Sequence, residues 1–214
     1  MIVITFVGPT GSGTSSYARE IVKQTDEFAH ISSGDIARTI ESDEADAALA
    51  EGELHPAEEI IRNTVLRMME ENSNKMIILD GFPRTAEQVQ FLKDNDIEID
   101  VCVDFQCQRE ILLKRCLARG RDIYDMTTDS VNKRIVADTA RCVETIAAIR
   151  EEYPTATTFT GTGTIYLTIQ DTLPYCKFIH STKQELSAGG IQPIATMIRQ
   201  EMTAQLKKFR HRRT

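Results

Sequence analysis

An α/β fold, with a parallel β-sheet flanked by helices, is predicted by three features of this 214-residue chain. Short β-branched apolar runs alternate with longer segments whose apolar residues recur at helical spacing. Strands alternating with helices in this way point to a parallel sheet covered on both faces. A glycine-rich loop closes the first run and opens the first helix, and the length suits one domain or one domain with a small insert.

The elements follow in order. Ile2–Val7 (IVITFV) stops at Gly8 and reads as a buried strand. Behind Gly8-Pro9-Thr10-Gly11-Ser12-Gly13 a helix runs from about Thr14 to Gln24. Phe28–Ser32 is a second strand, with a helix opening near Ser33-Gly34-Asp35. Pro56 suits the first turn of the next helix, where its missing N–H would have no partner anyway. Ile60, Ile61, Val65, Met68 and Met69 then keep helical spacing as far as Asn72. Met76–Leu79 is a further strand, ending in Asp80-Gly81, and Asp100–Phe105 is another. Helices are expected over Thr85–Asp94, Cys107–Arg119 and Asp129–Glu152, the last keeping Val131, Ile135, Cys142, Ile146 and Ile149 on one side. The Thr-rich region Pro154–Leu173 offers Thr164–Ile169 as an extra strand. Cys176–His180 is expected as the last core strand and Ile194–Lys207 as a closing helix. No internal repeat and no long linker is visible.

Composition excludes several classes. At 41% hydrophobic and 27% charged residues, the chain is not a disordered one. The longest apolar runs, such as Met1–Ile4 and Met76–Leu79, are four residues, so no bilayer span is expected. No secretory signal is visible, and five cysteines without a C-x-x-C pair argue against a disulfide framework. A reducing cytoplasmic location is therefore expected. The last eight residues carry five positive charges, so residues 1–206 hold 20 basic against 32 acidic residues, a net −12. Glu41 to Glu59 holds eight carboxylates and no Lys or Arg. Such a body is a poor general binder of nucleic acid. Only the basic tail at 207–213 could touch RNA, and a solvated chain end is the simpler reading.

The chemistry is concentrated in the loop. Gly8 and Gly13 have the spacing of the Walker A pattern G-x-x-x-x-G-K-[ST], in the strand-to-helix context that gives the pattern meaning. Inward-pointing N–H groups and a helix N-terminus suit phosphate. The lysine position, however, is Thr14, followed by Ser15 and Ser16. The loop can still cradle phosphate through N–H groups and hydroxyls, but it lacks the point charge that follows a transferring phosphoryl group. Losing one preorganised donor costs on the order of 10²–10³ in rate. Lys23 lies about two helical turns beyond the loop, too far to turn back into it.

Other segments resemble a known family. His30-Ile31-Ser32-Ser33-Gly34-Asp35-Ile36-Ala37-Arg38 resembles the H-I-S-T-G-D-x-x-R signature of adenylate kinases and related nucleoside monophosphate kinases. Asp80-Gly81-Phe82-Pro83-Arg84-Thr85-Ala86-Glu87-Gln88 is similar to their D-G-F-P-R-T-x-x-Q segment. Gly52-Glu53-Leu54-His55-Pro56 is similar to their G-x-L-V-P junction, and Arg119-Gly120-Arg121-Asp122 followed by Lys133-Arg134 to their short lid. The motifs run in the family's order over residues 1 to about 150.

The resemblance implies a P-loop NTPase-like fold in a single domain: a core of residues 1–32, 73–119 and 129–214, a helical acceptor-binding insert at 33–72 and a lid at 120–128. It implies reversible phosphoryl transfer between ATP and a nucleoside monophosphate, with Mg²⁺. Gly8, Gly11, Ser12, Gly13, Thr14, Ser15, Ser16, Arg115 and Arg119 would bind ATP. Arg84, Arg119, Arg121 and Arg134 would be catalytic, since guanidinium groups grip phosphate oxygens bidentately. Ser33, Gly34, Arg38, Leu54, His55, Gly81, Arg84, Gln88, Arg121 and Arg134 would bind the acceptor, and Asp80 would hold Mg²⁺ through water. Asp122 and Asp125 match the family's paired acids only weakly, because Ile123-Tyr124 separates them. Gln88 and the hydroxyl of Ser33 favour AMP, whereas His55, standing in place of an apolar residue, leaves other nucleotides open. A lone histidine on such a segment is more often a surface residue than a base reader. A catalytically impaired nucleotide binder acting through partners is the alternative, and Thr14 is the residue that favours it.

Overall fold

In a computed structural model the protein is described over residues 1–40, 42–120, 127–154, 157–162 and 168–169, together with 196, 199–200 and 203. Its sheet is built from β1 (Ile2–Val7), β2 (Phe28–Ser32), β3 (Met76–Asp80), β4 (Val101–Gln106), β5 (Thr157–Thr162) and β6 (Thr168–Ile169). The strand order is β2-β3-β1-β4-β5-β6, parallel throughout except for the antiparallel β6. Helices α1 (Thr14–Gln24), α2 (Ser33–Arg38), α3 (Asp43–Ala50), α4 (Glu58–Glu71), α5 (Ala86–Asp94), α6 (Arg109–Arg119) and α7 (Thr128–Glu152) connect the strands. The expected α/β architecture, a parallel sheet flanked by helices, is the one observed.

Strand periodicity divides the core. Successive side chains point to opposite faces, so Val3 and Val7 of β1 join one cluster while Ile4 and Phe6 join another. The first cluster packs beneath α2, α4, α5 and α7 through Ile36, Val65, Leu92 and Ile149. The second packs under α1 through Tyr17, Ala18 and Ile21. Burying an aliphatic or aromatic side chain of this kind stabilises by roughly 1.5–3 kcal/mol, so this two-sided layer sets the frame on which the loops are hung. A third, smaller cluster of Leu112, Cys116, Val131 and Ile135 joins α6 to α7.

Several expectations are corrected. Pro56 lies outside α4, which begins at Glu58; Ala57 donates its N–H to His55 Nδ1 at 3.1 Å and stays outside the helix. The acidic stretch contains a helix, α3, whose N-cap Ser42 accepts from the Ala45 N–H and whose first turn carries Asp43, Glu44 and Asp46. That is the arrangement a helix N-terminus favours. The strand pairing with β4 is Thr157–Thr162, and of the expected Thr164–Ile169 only Thr168–Ile169 is described as strand. The expected strand Cys176–His180, most of the helix Ile194–Lys207, the basic tail and lid residues 121–126 lie outside the described residues.

Helix α7 meets the helical insert at one tight point. Gly52 follows α3 with φ +86°, and a Cβ there would come within 3.1 Å of Ala137 Cβ and 3.2 Å of the Lys133 carbonyl. Lys133 Nζ also reaches Glu51 at 2.8 Å.

Candidate functional site

In parallel sheets ligands bind beyond the carboxyl ends of the strands. Here register brings those ends level: Phe6 and Ser32 each pair with Asp80, and Val7 pairs with Asp104. A cavity of about 770 Å³ opens there.

Its floor is the loop Gly8–Ser16. Gly13, the N-cap of α1, sits at φ 103°, a left-handed conformation that L side chains rarely adopt, and it offers no side-chain cap. Helices α2, α3, α5 and α7 are each capped by a Ser or Thr hydroxyl, whereas α1, α4 and α6 carry no side-chain cap. In α1 the Ser16 N–H returns to the Gly13 carbonyl at 2.9 Å, and this uncapped helix start lines the cavity, where it suits an anion. Ser12, 4% exposed, lies beneath the loop with its Oγ unpartnered among the described residues.

Asp80 stands at the end of β3 and is 3% exposed. Burial alone would raise its carboxyl, but hydrogen bonds from His30, Ser15 and Thr14 outweigh that and hold it below the usual carboxylate range. His30 Nε2 lies 3.1 Å from Asp80 Oδ2. A single carboxylate among hydroxyls is a hard-oxygen set that fits Mg²⁺, an ion that keeps several waters and takes few protein ligands. No group of three or more His, Cys, Asp or Glu suited to a metal occurs among the described residues.

Cations line the walls. Arg115 Nη1 donates to the carbonyls of Gly11 and Ser12 at 3.3 and 3.4 Å, and Arg134 Nη2 to Thr10 Oγ1 at 3.3 Å. Arg84 Nε donates to the Gly81 carbonyl at 2.8 Å. Arg38 pairs with Asp35, which also binds Arg19 at 2.9 Å. Partial burial would raise Asp35, but Arg38 and Arg19 hold its carboxyl at about 2. Arg119 lines the cavity as well, and Gly34 and Gly81 lie at its rim with Arg38 and Arg84. No lysine is among the described residues that line it.

Six expected residues lie off the cavity wall or outside the described residues, Ser12 beneath the loop and five others. The Ser33 hydroxyl donates to the Gly81 carbonyl, tying α2 to the end of β3. Gln88, 3% exposed, accepts from the Arg84 N–H at 2.6 Å and donates to Glu58 Oε1 at 2.7 Å. Leu54 and His55 are outside the lining, and His55 is 7% exposed rather than a surface residue. Its Nε2 is buried without a partner among the described residues. Arg121 lies outside the described residues.

Sequence reading missed three charged residues that line the cavity: Arg19, Asp138 and Arg141. Asp138 Oδ2 accepts from the Thr10 N–H at 3.1 Å, while its Oδ1 takes Arg141 Nη2 at 2.6 Å. The i, i+4, i+7 spacing of Arg134, Asp138 and Arg141 on a predicted helix was the available signal.

Comparison with known proteins agrees with this geometry. A family model described as an AAA domain matches residues 7–132, more than half the chain. The chain is 35% identical to an adenylate kinase of Thermotoga petrophila over 130 residues, 56% of this chain and 59% of that protein. It is 38% identical to an adenylate kinase of Rickettsia rickettsii over 128 residues, 56% of this chain and 58% of the relative. An adenylate kinase of Corynebacterium urealyticum is 30% identical over 129 residues, 71% of its own length. The chain thus spans less than two thirds of the Thermotoga and Rickettsia relatives.

Proposed function

This chain belongs to the adenylate kinase family of P-loop kinases, and on that premise we propose that it transfers the γ-phosphoryl group of ATP to a nucleoside monophosphate. AMP is the favoured acceptor, giving two ADP. The observation that carries this reading is the ring of arginines drawn from α1, α2, the β3–α5 turn, α6 and α7 around one phosphate loop.

The chemistry needs positioning more than covalent help. An acceptor phosphate oxygen attacks the γ-phosphorus, a new P–O bond forms, and the bond to the β,γ-bridging oxygen breaks. The electron pair leaves on the β-phosphate of ADP, and no proton must move because the acceptor phosphate is already ionised. Arg38 and Arg84 would hold the acceptor phosphate. Gly8, Gly11, Ser12, Gly13, Thr14, Ser15 and Ser16 would cradle ATP, with Arg115 and Arg119 from α6. Arg119, Arg121 and Arg134 would neutralise the charge of the transferring group. Mg²⁺, held by Asp80 through water, would supply charge neutralisation on the phosphate oxygens. Ser33, Gly34, Leu54, His55, Gly81 and Gln88 would form the acceptor side. Residues 33–72 would act as the acceptor-binding insert and 120–128 as the lid, closing to exclude water from the phosphoryl group.

The four described cysteines are free thiols, which suits a reducing cytoplasm. No described helix is long and apolar enough to cross a membrane.

A second reading, an impaired nucleotide binder acting through partners, is favoured by Thr14, which stands where the loop lysine is expected. Phosphoryl transfer from ATP·Mg²⁺ to AMP, GMP, CMP, UMP and dAMP decides between them. Turnover with AMP, lowered on the order of 10²–10³-fold or more in Arg84→Ala, is the expected result. No turnover with any acceptor would leave the second reading.

A further inference from the structure

A phosphate loop that lacks its lysine must find the missing charge elsewhere or lose it. We infer that Arg141 of α7 supplies it, contacting the transferring phosphoryl group from the acceptor side of the cavity. The inference rests on the kinase reading above.

The first support is placement. Arg134, Asp138, Arg141 and Thr145 follow one another at i, i+4, i+7 and i+11, one stripe of α7, and all four line the cavity. Arg84, assigned above to the acceptor phosphate, lines the same cavity as Arg141.

The second is a strut that ties Arg141 to the loop. One oxygen of Asp138 takes the Thr10 N–H at 3.1 Å and the other takes Arg141 Nη2 at 2.6 Å. The guanidinium is thereby set in register with the phosphate loop across 128 residues of sequence. Such indirect anchoring by a carboxylate is what holds a cation within the narrow tolerance that phosphoryl transfer requires.

The third is unspent hydrogen-bonding capacity. Arg141 Nε and Thr145 Oγ1 are both buried and have no partner among the described residues. A buried donor without a partner is costly, more so on a charged group, and a small shift of the side chain towards an anion in the cavity would satisfy it. The Arg141 side chain keeps 21% exposure, so the rest of the guanidinium is packed yet still reachable.

The test uses the full-length protein and four variants: Arg141→Gln, Arg141→Lys, Thr14→Lys, and Arg141→Gln combined with Thr14→Lys. Gln keeps a donor for Asp138 and removes the charge. Two readouts are needed: kcat and KM with ATP and AMP, and the calorimetric Kd for P1,P5-di(adenosine-5′) pentaphosphate, which spans both phosphate subsites. Arg141→Gln should lower kcat on the order of 10²–10³-fold and weaken pentaphosphate binding at least about tenfold. Arg141→Lys should keep part of both, and adding Thr14→Lys to Arg141→Gln should restore kcat at least about tenfold, which a merely structural arginine would not allow. In Thr14→Lys the added charge duplicates the one that Arg141 supplies, so a rise in kcat of about 100-fold or more would overturn the inference even if Arg141→Gln failed to fold, and any smaller rise or a loss is the expected result. Wild-type kcat and pentaphosphate binding in folded Arg141→Gln would overturn it while leaving the kinase reading intact. If the wild type binds pentaphosphate but transfers nothing, the kinase reading fails, and the binding difference alone decides Arg141. No binding by the wild type would end both.

Discussion

Asp35 shows how single residues set the charge of the site. Its carboxylate lies between Arg38 and Arg19, which hold it at about 2 against the partial burial that would raise it. An ordinary aspartate titrates near about 3.9. Because the folded state favours the charged form, the stabilisation is fully present above about pH 4 and is lost as pH falls towards 2. The side chain is 42% exposed, so solvent screening keeps the effect small. Thermal unfolding of wild type and Asp35→Asn should therefore differ most near neutral pH and converge at the acid end. A difference that persists unchanged at about pH 2.5 would show that the two arginines do not act through this charge.

At the scale of elements, α7 organises the site. It packs on the sheet through Ile146 and Ile149, on α6 through Val131 and Ile135, and on the insert where Gly52 touches Ala137 and the Lys133 carbonyl. Gly52→Ala would put a Cβ 3.1 Å from Ala137 at a residue whose φ is +86°. Both strain and crowding act in the same direction, so the substitution should destabilise the protein by about 1–3 kcal/mol. Chemical denaturation measures this directly, and a loss below about 0.5 kcal/mol would mean that the approach of α3 to α7 is not held tightly. Activity should fall further than stability, because the same helix carries Arg134 and Arg141.

The whole molecule presents a contrast of charge. Residues 1–206 sum to −12, yet among the described residues the cavity is lined by seven arginines and two carboxylates, Asp80 and Asp138. A low-dielectric cleft lined by one sign of charge focuses the field on an anionic ligand. Nucleotide affinity should therefore fall with ionic strength although the protein as a whole repels anions. Raising salt from about 0.05 to about 0.5 M should weaken ATP binding several-fold and leave adenosine binding nearly unchanged. Equal loss for both ligands would place the affinity in the base contacts rather than in the arginines.

The sequence by itself determined the fold class, the strands β1 to β4, most helix spans and the phosphate loop. Those features are written locally, in short β-branched and apolar runs, in 3.6-residue spacing and in glycines at a strand-to-helix turn. The arginines at 38, 84, 115, 119 and 134 were also legible, because they sit on short motifs. Helix α3 was hidden by its acids, although Ser42 and the charged first turn marked its start. Strand β5, rich in threonine rather than in larger apolar residues, gave no apolar run to read. Only the tertiary structure brought Arg19, Asp138 and Arg141 to the cavity, buried His55 and spent the Gln88 amide on Arg84 and Glu58. The reason is distance along the chain. The bond from Thr10 to Asp138 spans 128 residues, and no local pattern encodes a partner that arrives only when α7 has packed across the sheet.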